Sequence, residues 1–209
     1  MSHRAILFAS ILMASLVPVG CGSSVVHLSH DEFDRLPRDS RQEIFDAEND
    51  LVIARNRQDD AVEKAEKTER AIDELARRWA RATARLTAAG QAARMSQARK
   101  VFDTQRALLD SEVEVAQAQI GTTETGTAVA RARLQLVRAR QLARIGRMTL
   151  AELKPLEDNV ASFDARLKAY TTAETSLRAR AQSQLDASKA AAYAYASSTG
   201  DYDTGVWGD

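Results

Sequence analysis

The sequence is poor in the residues that enzymes and disulfide scaffolds depend on. Its 209 residues hold one cysteine, three histidines, three prolines, nine glycines and 5% aromatics. A single cysteine excludes an intrachain disulfide framework and a cysteine-based zinc site. No histidine follows His30 and no cysteine follows Cys21, so the serines and carboxylates of the remaining chain have no imidazole or thiolate to work with. Neither nucleophilic nor general-base catalysis is then expected, nor is a cofactor. A formal net charge of zero excludes a global attraction to nucleic acid or to an anionic membrane, so any electrostatic preference has to be local. Beyond the first twenty residues no run is apolar enough to cross a bilayer. Scarce glycine and proline, with abundant alanine and arginine, suit packed helices.

The pattern carrying most information runs from Ile44 to Ala89. Steps of three and four residues select Ile44, Ala47, Leu51, Ala54, Gln58, Ala61, Ala65, Thr68, Ile72, Leu75, Trp79, Ala82, Leu86 and Ala89, a heptad stripe broken only by Gln58 and Thr68. A stripe this narrow predicts a long helix lying along a partner. At 1.5 Å per residue it is about 75 Å long. Trp79 falls in phase with the stripe and reads as core. Gly90 can adopt the left-handed conformation that ends a helix, which places a reversal between Ala88 and Met95.

A second stripe comprises Phe102, Arg106, Leu109, Val113, Ala116, Ile120, Thr123, Thr127, Ala130, Leu134 and Val137. Its phase survives the stretch from Gly121 to Thr127, which predicts one helix across both glycines rather than a turn between two. The same stretch lacks Walker spacing, its Lys and a preceding strand, so it is not a phosphate cradle. Gly146 then stops the helix. Thr149 and Glu152 form a capping box, with Met148 and Leu153 at staple spacing. The third stripe is Leu153, Leu156, Val160, Phe163, Leu167, Tyr170, Glu174, Leu177, Ala181, Gln184, Ser188, Ala191 and Tyr195. Pro155 falls early enough in this helix to be tolerated.

These patterns predict an all-α chain: a long antiparallel helical coiled coil, read as a three-helix bundle, with a disordered C-terminal tail. The expected divisions are a signal peptide at 1–20, a tether and short helical turn at 21–38, a helical bundle at 39–196 and a flexible tail at 197–209. Within the bundle the helices are placed at about 40–89, 92–145 and 150–196. Ser29 with Glu32, and Ser40 with Glu43, have capping-box spacing at the two earlier helix starts. His27, His30, Asp31 and Glu32 read as a solvated helix start rather than a metal site, since no third strong ligand follows. In the tail, Tyr202 and Trp207 lie outside any heptad phase and are candidate anchors for a partner.

Two zones lack acidic residues. The first holds Arg77, Arg78, Arg81, Arg85, Arg94, Arg99 and Lys100; the second holds Arg131, Arg133, Arg138, Arg140, Arg144 and Arg147. Antiparallel packing brings the second zone beside Glu43, Asp46, Glu48 and Asp50, and beside Glu152, Glu157 and Asp158, which predicts ion pairing rather than nucleic-acid binding. The first zone has fewer acidic partners and is the candidate surface for an acidic ligand such as lipopolysaccharide, or for a partner protein.

The N-terminus has a basic start at His3 and Arg4, an apolar run from Ala5 to Val17 interrupted by Ser10 and Ser15, and then Pro18-Val19-Gly20-Cys21. That is the layout of a secretory signal. The run into Gly20-Cys21 resembles the bacterial lipoprotein signal, although Pro18 stands where that family usually has Leu. The resemblance implies cleavage between Gly20 and Cys21 and acyl chains, palmitate among them, on Cys21. It also implies attachment to a membrane through the lipid, with export and a periplasm-facing chain. Gly22 is not the Asp typical of inner-membrane retention, so the outer membrane is the expected site, with inner-membrane or surface placement left open. The run from Val129 to Arg140 resembles the helical hairpins of periplasmic efflux adaptors, without their strand-rich domains, which implies an envelope protein as partner. Taken together these features predict a structural or interaction component of the cell envelope.

Overall fold

The computed structural model describes residues 26–202 and 205–207. The signal segment, Gly20 and Cys21 lie outside the described residues. Four α-helices and one short 3-10 turn make up the described fold: α1 (His30–Asp34), α2 (Arg38–Ala88), α3 (Ala92–Arg144), α4 (Leu150–Thr199) and the turn Gly205–Trp207. The described residues form helices and no strand, and the helices pack against one another. At 1.5 Å per residue each of the three long helices spans about 75 to 80 Å.

The heptad stripes explain which faces meet. Every stripe position of α2 from Ile44 to Leu86 is buried or half-buried, while Ala89, beyond the last turn, is exposed. Trp79 stacks on Phe102 of α3, with ring centroids 4.9 Å apart and planes inclined by 19°. Helix α3 runs unbroken through Gly121 and Gly126. The threonines there bond back to the preceding turn, as Thr125 Oγ1 does to the Gly121 carbonyl at 2.8 Å. On α4 each stripe residue is buried or half-buried except Tyr170, whose ring lies close over Gly121.

Helix α3 is the central element. Each outer helix packs along it, whereas α2 and α4 approach each other far less closely. Burial follows suit: α3 buries Ala116, Thr127, Ala130 and Leu134 from the stripe, and also Ala98, Val115, Val129, Ala132, Leu136 and Ala139 from its other flank. Shallow grooves of about 330, 290 and 350 Å³ follow the looser seam between α2 and α4.

Both reversals use glycine in the left-handed region, Gly90 at φ 65° and Gly146 at φ 73°. At each, the following residue donates to a carbonyl five positions back, Gln91 N–H to the Leu86 carbonyl at 3.0 Å and Arg147 N–H to the Leu142 carbonyl at 2.9 Å, which satisfies carbonyls the helix end leaves open.

Local expectations at three places need correction. Ser40 and Glu43 do not cap α2, because the helix starts at Arg38 behind Pro37 and Ser40 is already inside the first turn. Its hydroxyl instead accepts from Arg144 Nη1 at 3.1 Å. The third long helix does not stop at 196: the hydroxyls of Ser198 and Thr199 donate to the Tyr195 carbonyl, helix continues to Thr199, and Gly200 at φ 73° ends it. The tail assigned as flexible over 197–209 therefore begins as helix. Its Val206 is 3% exposed, because it folds back into the apolar end of the bundle.

Candidate functional site

The end of the rod near residue 146 can be called proximal, since the chain enters there, and the end near Gly90 distal. At the proximal end Val26 is buried, and its N–H donates to Gln135 Oε1 of α3 at 2.7 Å. Val26 joins Ala139, Leu142 and Leu153 in an apolar cluster on which Leu28 and Met148 also pack. The Ser29 capping box starts α1, with the Glu32 carboxylate accepting from the Ser29 N–H at 3.0 Å. These bonds, followed by the charge of Arg147, hold the Glu32 carboxyl below the usual glutamate range. The Glu152 carboxyl is lowered in the same way by the Thr149 N–H and hydroxyl, each at 2.7 Å.

The second basic zone lies within this proximal end, and four of its six arginines pair with acids of α2 or α4. Arg138 meets Glu48 at 2.8 Å, Arg144 meets Glu43 at 3.5 Å, Arg133 meets Asp164 at 2.9 Å and Arg140 meets Glu157 at 3.0 Å. Arg133 and Arg140 are a heptad apart, and so are Asp164 and Glu157, as an antiparallel register requires. Gln141, wholly buried, donates to Glu43 Oε2 at 2.6 Å and accepts from Arg144 at 3.1 Å.

The distal end collects the remaining candidates. Arg77, Arg78, Arg81, Arg85, Arg99 and Lys100 are exposed and Arg94 is half-buried. Arg78 pairs with Glu74 and Arg99 with Asp103 on their own helices. Two others are committed to the C-terminal segment: Arg85 Nη2 donates to the Val206 carbonyl at 2.9 Å, and Arg94 Nη2 to the Thr199 carbonyl at 3.4 Å. Arg77, Arg81 and Lys100 are without a partner among the described residues. The basic zone thus divides into two cations paired on their own helices, two that hold carbonyls near the C-terminus, and three without a partner among the described residues.

Of the two aromatic candidates in the tail, Tyr202 is 64% exposed. Trp207 is half-buried and packs on the cluster of Ala82, Leu86, Ala98, Val101, Ala191, Tyr195 and Val206, which Trp79 and Met95 flank. The docking of Val206, and the roles of Arg85 and Arg94 in it, were missed from sequence. The available signal was an apolar pair, Val206-Trp207, set off by Gly205, close behind a helix-ending Gly200.

No group of three or more His, Cys, Asp or Glu side chains converges as a metal site among the described residues. His30 lies 3.6 Å from Asp34 on an exposed helix face. Among the described residues no helix is long and apolar enough to cross a membrane. What the arrangement offers chemically is a rod with chain entry fixed at one end and cations, an exposed tyrosine and a docked peptide at the other. Comparison with protein-family models, with curated proteins and with solved structures finds no match.

Proposed function

We propose that the protein is a lipid-anchored, periplasm-facing structural or interaction component of a bacterial cell envelope, with its long helices forming an antiparallel three-helix coiled coil that carries its distal end away from the membrane. The observation that carries this reading is the placement of the two ends. The lipoprotein-like Gly20-Cys21 pair comes shortly before Val26, which is clamped to α3 at the proximal end, while the C-terminal turn is docked at the distal end. A chain from Cys21 to Val26 spans at most about 18 Å when fully extended. Lipid on Cys21 would therefore hold the proximal end close to the bilayer and leave the distal cations about 75 Å from it. The outer membrane is the preferred site, and an envelope protein is the partner. No catalytic role and no nucleic acid enter this account.

Mass spectrometry of the mature N-terminus tests the anchor. An acylated Cys21 together with membrane fractionation is the expected outcome, since two or more chains give stable attachment where one alone is marginal. An unmodified N-terminus in a freely soluble protein overturns it.

A second reading is favoured by the three cations that have no partner among the described residues. Arg77, Arg81 and Lys100 could hold an acidic surface such as lipopolysaccharide. Labelled lipopolysaccharide should then bind with steep salt dependence and lose binding on joint replacement of these residues by alanine. Salt-insensitive capture of a protein, unchanged by the substitutions, favours the first reading alone.

A further inference from the structure

We propose that the distal cleft is a peptide-binding site whose resident ligand is the chain's own C-terminal segment, so that Val206-Trp207 acts as a removable latch closing α2 onto α4. Helices α2 and α4 approach each other little along the rod, yet the 3-10 turn Gly205–Trp207 contacts both. Its bonding is of the kind a short bound peptide makes. One aliphatic side chain, Val206, is almost fully buried, one aromatic ring packs beside it, and Arg85 of α2 holds the backbone carbonyl between them at 2.9 Å. Arg94 of α3 grips the chain where it leaves α4.

Every other member of the cluster belongs to a long helix: Ala82 and Leu86 to α2, Ala98 and Val101 to α3, Ala191 and Tyr195 to α4. The walls therefore stand without the segment, and its departure would leave a preformed apolar cleft rimmed by a guanidinium. A preformed cleft costs little ordering to fill. The ligand class it selects is a short segment with adjacent aliphatic and aromatic side chains and an accessible carbonyl between them.

The test uses the full chain. In a Trp79→Phe chain Trp207 is the sole tryptophan, and its emission should be blue-shifted and shielded from a soluble quencher relative to a synthetic peptide spanning residues 201–209. Adding Val206→Asp, or Arg85→Ala, should move both readings toward those of the free peptide with helical content unchanged. The same peptide should then bind the Val206→Asp chain, bind the unsubstituted chain at least tenfold more weakly, and lose to a scrambled peptide in neither case. Trp207 emission already equal to the free peptide's overturns the latch. So does failure of the peptide to bind the Val206→Asp chain, equal binding to both chains, or equal binding of the scrambled sequence.

Discussion

Gln141 shows how a buried polar side chain can bind two helices together. It is fully enclosed, and both ends of its amide are used, on Glu43 and on Arg144. Replacing it with alanine removes a hydrogen bond to a charged group and leaves a void, so Gln141→Ala should destabilise the chain by about 2 kcal/mol in urea unfolding. The capping carboxylates give a pH prediction of defined sign. Glu152 has its pKa below the ordinary value of 4.5, so its cap contributes fully above that value and is lost as pH falls through the lowered one. The stability difference between the parent chain and Glu152→Gln should accordingly shrink between pH 6 and pH 3, as followed by denaturant unfolding at each pH. The Thr149 box was legible because both its members lie beside a helix stop at Gly146. The Ser40 box, with the same spacing, was misread: Pro37 suits a helix start and moves the start ahead of Ser40, which frees the hydroxyl to face Arg144. Local spacing identifies capping partners but does not say where the first turn begins.

Among the elements, α3 was read through one face only. Its heptad stripe announced the contact with α2, but the opposite flank is built largely of Ala98, Val115, Val129, Ala132 and Ala139, small residues that weigh little in a hydrophobic count and pack well against a neighbouring helix. The two glycines inside α3 offer a discriminating pair of substitutions. A Cβ on Gly126 meets nothing within 4 Å, whereas on Gly121 it meets the Tyr170 ring at 3.2 Å. Gly126→Ala should raise stability by about 1 kcal/mol through helix propensity. Gly121→Ala should gain less, since the ring has to move, and combining it with Tyr170→Ala should remove that steric part of the shortfall. Paired thermal melts distinguish these outcomes.

For the whole molecule, the antiparallel order was legible because charge and heptad phase agree. Basic residues late in α3 required acids early in α2 and α4, and Arg138 with Glu48 and Arg140 with Glu157 supply them. The fate of the C-terminus was not legible, because a two-residue apolar pair has no period and its cleft exists only once three helices converge. Spin labels test the order directly. Labels at Gln58 and Thr122 should show the short separation of neighbouring helices with axes about 10 Å apart. Labels at Gln58 and Gln97 should lie about 40 Å apart along the rod.

The central place of α3 also bears on how the chain reaches this fold. Either neighbour can pair with α3 across a tight glycine turn, so two hairpins of mostly local contacts compete as the first structure to form, and such topologies fold fast. A mutation that weakens one hairpin leaves the other as an alternative nucleus and should speed unfolding more than it slows folding. Cutting the chain within the Gly146 turn would leave one hairpin whole and the last helix free to return to it, with the lost linkage turning assembly into a concentration-dependent step.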